Sequence, residues 1–284
     1  IGLIQPILLF FAVGCSRAVV GYWIGDLYKN RLKESELPKA IIYGAGYAGR
    51  NLSIALEDNN SFKYPMIISV ANKIGYETSF FHGAANGSMG FLGFAKTLGF
   101  QNYYGKDEYD NDNDYDGYWG IWDLPFLRFT KEIIDQKTEP FLSTIFTVTS
   151  HEPYIIPDEF KDVFKEGYLP MHKAVRYTDY SVRKFFELAK NEKWFNNTIF
   201  IFTADHGNQT YYPFYKKMIN RFANPLIIYS PGLKLKGVSY QLSQHLDIYP
   251  TIVDLINYNK PFRSWGQSLL SGSANDSYVV NYFG

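Results

Sequence analysis

Two runs constrain this fold more than anything else in the chain. Phe141-Leu142-Ser143-Thr144-Ile145-Phe146-Thr147-Val148 and Thr198-Ile199-Phe200-Ile201-Phe202-Thr203 are almost continuously apolar or β-branched. That is the pattern of central strands covered on both faces. A shorter strand is read at Thr78-Ser79-Phe80-Phe81, and Asn224 to Tyr229 reads as another buried strand, closed by Ser230-Pro231-Gly232. Helical patterns lie between them. Met66, Ile67, Val70, Ala71 and Ile74 make one face within Ser61 to Gly75. Met171, Val175, Val182, Phe185 and Ala189, widened by Phe186 and Leu188, make another, and Ile248 to Ile256 forms a helix with Pro250 in its first turn. Alternation of this kind predicts an α/β sheet with helices on both faces. The chain carries 28 basic and 28 acidic residues and is 46% hydrophobic, which excludes both a general electrostatic field for nucleic acid and an intrinsically disordered chain. Its single cysteine, Cys15, excludes an internal disulfide and reads as a small hydrophobe.

In open sheets of this class, ligands sit outside the carboxyl ends of the strands. Three of the five histidines fall there: His82 before Gly83, His151 after Thr149-Ser150, and His206 between Asp205 and Gly207. Asp205 and His206 are adjacent, so a carboxylate and an imidazole can reach one divalent cation. Two protein ligands are too few for a catalytic zinc centre, which takes three and keeps a position open. His245 and Asp247 stand near enough in sequence to Ile248 to be considered as further ligands, although capping and packing are the expected roles. Arg176 and Asp179 read as helix pairing on the i,i+3 spacing. The acidic, asparagine-rich stretch Asp107 to Asp116 lacks the glycine and terminal glutamate of a calcium loop and reads as solvated.

The amino-terminal stretch differs in character. Residues 1–25 hold one charge, Arg17, and include Ile7-Leu8-Leu9-Phe10-Phe11-Ala12-Val13, which predicts a membrane helix, about 20 apolar residues being needed to span. Lys29, Arg31 and Lys33 follow and place that flank in the cytoplasm. Ala40 to Tyr43 then reads as a strand entering Gly44-Ala45-Gly46-Tyr47-Ala48-Gly49 and a helix. Gly44, Gly46 and Gly49 have the spacing of a pyrophosphate-binding turn. The acidic residue expected about 20 positions on, at the end of a second strand, is missing.

Leu3 to Asn60 resembles the membrane-to-Rossmann junction of polysaccharide-biosynthesis nucleotide-sugar epimerase/dehydratase proteins. A second resemblance covers more of the chain. Gly75-Tyr76-Glu77-Thr78 through Phe81-His82-Gly83-Ala84-Ala85-Asn86-Gly87-Ser88-Met89-Gly90-Phe91, Asp116 to Asp123, Thr147 to Tyr154, Thr203-Ala204-Asp205-His206 and Asp247-Ile248-Tyr249-Pro250-Thr251 are similar, in order, to the sulfatase-like domain of the lipoteichoic acid synthase type in the alkaline phosphatase superfamily. The implied fold is an α/β sulfatase-like sheet lacking its amino-terminal part over residues 63–284. It is preceded by an apolar helix at 1–25 and by a basic linker with a truncated Rossmann-like βα unit at 26–62.

This second resemblance implies that Asp205 and His206 ligate a divalent metal, manganese first and magnesium or zinc as alternatives. It implies that His151 contacts the phosphoryl group or leaving oxygen, and that Asp116, Trp119 and His82 line a headgroup pocket. In such enzymes a threonine attacks phosphatidylglycerol and passes a glycerophosphoryl group to an acceptor hydroxyl, so the implied partners are a phospholipid headgroup or envelope polymer at a membrane. The family's nucleophilic threonine and acidic metal ligand fall where Tyr43 to Phe62 stand here, and neither has a counterpart. Thr78 is strand-internal, and Thr149 and Ser150 lie on the wrong strand.

The expectation is a half-present site, essentially inactive alone. The chain begins with Ile1 and reads as a piece of a longer product. A cytoplasmic basic linker also conflicts with a domain working outside the membrane, so the chain is read as joining parts of two proteins near Phe62 to Pro65, by rearrangement or assembly error. A nucleotide-sugar epimerase/dehydratase, a sulfuric ester hydrolase and a glycan-binding module using stacked aromatics are the competing readings.

Overall fold

The structure, a computed structural model, describes residues 67–233, 236–270 and 279. The helix expected over 1–25, the linker and glycine run of 26–62 with Gly44, Gly46 and Gly49, and Cys15 lie outside the described residues.

Helix α1 (Ile67–Lys73) leads into β1 (Glu77–His82), after which come α2 (Phe91–Leu98), β2 (Asn102–Tyr104) and the single turn α3 (Lys106–Tyr109). Helix α4 (Asp123–Asp135), β3 (Phe141–Phe146) and the long α5 (Met171–Ala189) follow. The chain then forms β4 (Phe200–Thr203), the turn α6 (Pro213–Lys216), β5 (Leu226–Tyr229) and α7 (Ile248–Leu255). Strands β2, β1 and β3 make a parallel sheet in that order, with Ser79 beside Asn102 and the pairs Glu77–Phe141 to His82–Phe146 in register. As its middle strand, β1 is buried from Thr78 to His82.

Helix α4 carries Leu124, Phe126, Leu127, Thr130 and Ile134 inward and packs along α5. Between these helices and the sheet lies a core of Phe81, Ile121, Phe126, Leu127, Ile134, Phe185, Ala189, Trp194 and Phe195. A second cluster gathers Leu124, Ile156, Ala174 and Tyr177 at the other end of α5.

Four expectations need correction. Strand β3, expected to be central and covered on both faces, stands at the edge of this sheet among the described residues, with none of Phe141 to Phe146 fully buried and Thr144 exposed. Helix α5 buries Ala174, Tyr177, Ser181, Phe185 and Ala189, while Val175 and Leu188 face outward. The buried stripe is therefore rotated from the expected one and mixes the small Ala174, Ser181 and Ala189 with Tyr177 and Phe185. In α1 the inward residues are Ile68, Val70 and Ala71, and Ile74, just past the helix end, is exposed. Strand β4 does not extend the parallel sheet among the described residues. It pairs antiparallel with β5, from Phe200–Tyr229 to Thr203–Leu226. Phe186 of α5 packs with tilted rings against Phe200, Phe202 and Tyr229, yet Thr203, Ile227 and Tyr229 stay exposed, so β4 and β5 are not covered on both faces. No helix among the described residues is long and apolar enough to cross a membrane.

Candidate active site

Strands β1 and β3 end side by side, and their loops are tied to the loop before α4. His82 is 3% exposed, between the rings of Phe91 and Phe146 at 4.7 and 5.0 Å. A carbonyl only accepts, so the 3.2 Å contact of His82 Nδ1 with the Phe146 oxygen puts the proton on Nδ1. Burial lowers the pKa of this imidazole against that bond. His82 is thus a neutral packing residue rather than a pocket wall, because its ring is closed off by aromatic neighbours.

Beyond it, Gly83 O accepts from Ile121 N at 2.9 Å, and Ala84 bridges to Gly120. A Cβ on Gly120 would stand 2.5 Å from Gly83 O, so only glycine lets these backbones meet. Asp116 holds the same loop. Its Oδ1 accepts from the backbone N–H groups of Tyr118, Trp119 and Gly120 at 2.8, 2.7 and 3.0 Å. That oxygen is committed to shaping the turn that presents Trp119.

His151 follows the end of β3, and a residue unremarked in the sequence fixes its loop. The Asp123 carboxylate, in the first turn of α4, is 1% exposed. It accepts from Val148 N at 2.9 Å, Thr149 N at 3.1 Å and Thr178 Oγ1 at 2.6 Å. In return Asp123 N donates to Thr149 Oγ1 at 3.0 Å. Thr149 is therefore spent on structure, as is Thr78, which is fully buried and donates to Asn72 Oδ1 at 2.8 Å.

From this anchor the chain turns through His151 N to Val148 O, 3.0 Å, and Tyr154 N to His151 O, 2.9 Å. The exposed His151 ring lies 4.2 Å from that of Trp119. Glu152 O accepts from both His151 Nδ1, 2.9 Å, and Trp119 Nε1, 2.6 Å. The proton on Nδ1 leaves Nε2 of His151 with the lone pair, the atom able to meet a ligand.

At the end of β4, His206 repeats that arrangement. Its Nδ1 donates to Gly207 O at 2.8 Å, and its N–H donates to Asp205 Oδ1 at 2.9 Å. Nε2 of His206 then faces Asp205 Oδ2 across 3.5 Å. Two lone-pair atoms at that distance repel unless a proton or cation stands between them. Ligands about 2.1 Å from one metal lie about 3.0–3.4 Å apart at octahedral or tetrahedral angles, so the pair fits two corners of a divalent centre. It does not make a whole one: among the described residues no group of three His, Cys, Asp or Glu side chains could hold an ion.

The β4 loop is joined to the others by Asn208 Nδ2, which donates to Tyr154 OH at 2.7 Å. His245 Nε2 donates to Ala204 O at 2.7 Å. The Asp247 carboxylate accepts from Gln244 N and Gln267 N, both at 2.8 Å, so His245 and Asp247 hold loops, as capping predicts. Arg176 stays outside the cluster, donating to the carbonyls of Lys165 and Glu166. Asp179 pairs with Arg183, not Arg176. The structure brings the Trp119, His151 and Asp205-His206 loops together through Glu152, Tyr154 and Asn208. Asp123 ended one of the five blocks and opened an amphipathic helix after Trp122, but neither signal gave its role. Tyr154 closed the block from Thr147 without a role assigned to it, and Asn208 had no signal beyond its nearness to His206.

Comparison with known proteins matches residues 42–258 to the sulfatase family, taking in residues 42–62 together with the five blocks. Lipoteichoic acid synthase 1 of Bacillus subtilis strain 168 is 23% identical over 241 residues, 78% of this chain and 37% of that protein. Among solved structures, the lipoteichoic acid synthase LtaP from Listeria monocytogenes superposes with a TM-score of 0.63 at 16% identity, covering 79% of this chain and 58% of its own. An alkaline phosphatase superfamily protein from Vibrio parahaemolyticus gives 0.56 at 25% identity, covering 70% and 48%. The chain spans about a third of the length of the curated relatives it matches.

Proposed function

The chain belongs to the sulfatase family, and on that premise we propose that it is a metal-dependent domain of the lipoteichoic acid synthase type, acting on glycerophosphate esters of a phospholipid headgroup or envelope polymer at a membrane. The observation that carries this reading is the Asp205–His206 pair, whose two bare ligand atoms face each other across 3.5 Å at the carboxyl end of a strand. Asp205 and His206 would hold the cation, manganese first. Bound there, a divalent metal lowers the pKa of an attacking hydroxyl and offsets charge building on phosphorus.

The chain's own residues do the rest. Trp119 and the Glu152 carbonyl fix the His151 ring with Nε2 turned to the ligand, to whose phosphoryl oxygen it donates only as the doubly protonated imidazolium, and Asp116 holds the turn from which Trp119 projects. Group transfer also needs a nucleophile. No threonine precedes Thr78, and the hydroxyls of Thr78 and Thr149 are engaged, so the 284 residues offer binding without turnover.

The test is to titrate glycerol phosphate into the chain with manganese present, and to assay phosphatidylglycerol hydrolysis beside it. Binding that needs manganese, disappears in Asp205→Ala and weakens in His151→Ala supports the reading. Binding of a dinucleotide instead, lost on altering Gly46, would support the nucleotide-sugar reading. Turnover abolished by Asp205→Ala would overturn the claim that a nucleophile is lacking.

A further inference from the structure

Charge is balanced over the whole chain, but not along the interval that follows the Asp205-His206 loop. Between Asp205 and Asp247 there is no Asp or Glu, while Lys216, Lys217, Arg221, Lys234 and Lys236 all fall in that interval. The part from Tyr211 to Phe222 also turns its large apolar side chains outward: Tyr212 is 56% exposed, Phe214 58%, Met218 65% and Ile219 72%. Scattered apolar residues on a surface are ordinary, whereas a contiguous set marks an interaction face.

This set is held together by structure. Helix α6 and the 3-10 turn Asn220–Phe222 are linked by Asn220 Nδ2 donating to Phe214 O at 3.0 Å. Tyr211 is stacked on Tyr168, with ring centroids 4.0 Å apart, adding a further exposed tyrosine. The patch also abuts the site. A Cβ on Gly207 would stand 2.8 Å from the Arg221 carbonyl oxygen, so the Arg221 backbone lies against the loop carrying Asp205 and His206.

We propose that Tyr211 to Phe222 is an interfacial docking surface that seats the domain on an anionic lipid bilayer, beside the mouth of the site. Charge and chemistry select this occupant. Aromatic rings with one polar edge settle at the headgroup level, aliphatic side chains enter the acyl boundary, and Lys and Arg bind the anionic surface. A run of Lys and Arg without a single carboxylate complements such a surface. The docking stands on exposure and charge alone; that it delivers headgroups to Asp205 and His206 rests on the function proposed above.

The test uses the full chain, with Cys15→Ser and an environment-sensitive dye at Ile219→Cys, mixed with phosphatidylglycerol–phosphatidylcholine vesicles or with pure phosphatidylcholine vesicles. A matched control carries the dye at Lys193→Cys, in the turn before β4, at the opposite end of that strand. The dye at 219 shifts to the blue with the anionic vesicles, that at 193 does not, and phosphatidylcholine alone gives little. Neutralising Lys216, Lys217 and Arg221 to Gln weakens the vesicle affinity by about fivefold per charge, on the order of a hundredfold together.

No shift at 219, equal shifts at both positions, or equal response to both vesicles would overturn the proposal. A concentration-dependent shift at 219 without lipid, with doubled mass in sedimentation, would overturn it in favour of a second copy. Because vesicle binding is read without turnover or metal, its failure is separable from failure of the glycerol phosphate titration.

Discussion

Asp123 is where the site's geometry and the fold's stability meet. Replacing it by alanine removes the acceptor of Val148 N, Thr149 N and Thr178 Oγ1. The two backbone amides are buried, and each buried donor left unmet costs about 1–3 kcal/mol. Removing a buried carboxylate gives some of that back, so the expected loss is about 2–4 kcal/mol, or roughly 4–16 °C in Tm for a domain of this size. Asparagine keeps an oxygen toward both amides and a group able to donate to Thr178, and costs about 1 kcal/mol.

The two variants also separate by pH. Burial raises the pKa of Asp123 above the ordinary 3.8, against hydrogen bonds from Thr178, Val148 and Thr149 that lower it. A carboxyl group whose folded pKa is raised gives its full stabilisation below the unfolded value, and that stabilisation is lost as pH rises through the folded value. Asparagine does not titrate. Wild type must therefore lose stability relative to Asp123→Asn as pH climbs from below about 4 toward neutrality. Urea unfolding of wild type, Asp123→Asn and Asp123→Ala across that range measures both effects. Equal losses in the two variants, or parallel pH curves for wild type and Asp123→Asn, would refute the reasoning.

Two other substitutions test the loop cluster. Gly120→Ala puts a methyl group 2.5 Å from Gly83 O and forces the two backbones apart, so thermal unfolding should show a loss of about 1–3 kcal/mol; an unchanged Tm contradicts the bridge. Gly207→Ala places its Cβ 2.8 Å from Arg221 O and displaces the Asp205-His206 loop, so manganese affinity by calorimetry should fall about tenfold or more, and a wild-type value contradicts the packing.

Much of this was legible locally. The strand cores at 77–82, 141–146 and 200–203 stand where runs of Phe, Ile and Thr place them. The five sulfatase-like blocks point to the family whose match covers them. What sequence could not show is pairing over distance. An apolar run reads alike whether β4 joins a parallel sheet or, as here, an antiparallel partner 22 residues beyond its end, Thr203 facing Leu226 after a connection from 204 to 225. The buried face of α5 was misjudged for a related reason. Apolarity favoured Val175 and Leu188, while the face that α5 buries carries Ala174, Ser181 and Ala189 beside Tyr177 and Phe185. The role of Asp123 was not legible because an aspartate opening a helix normally meets its own helix's amides, and this one meets those of Val148 and Thr149.

The most direct test of a cation held by Asp205 and His206 beside the His151 loop is manganese-induced paramagnetic broadening in the nitrogen-15-labelled chain, read at the assigned indole N–H of Trp119, which bonds Glu152 O. The account predicts that this signal broadens at stoichiometric manganese in the wild type and stays sharp in Asp205→Ala. A sharp Trp119 signal in the wild type, or broadening that survives Asp205→Ala, would contradict it.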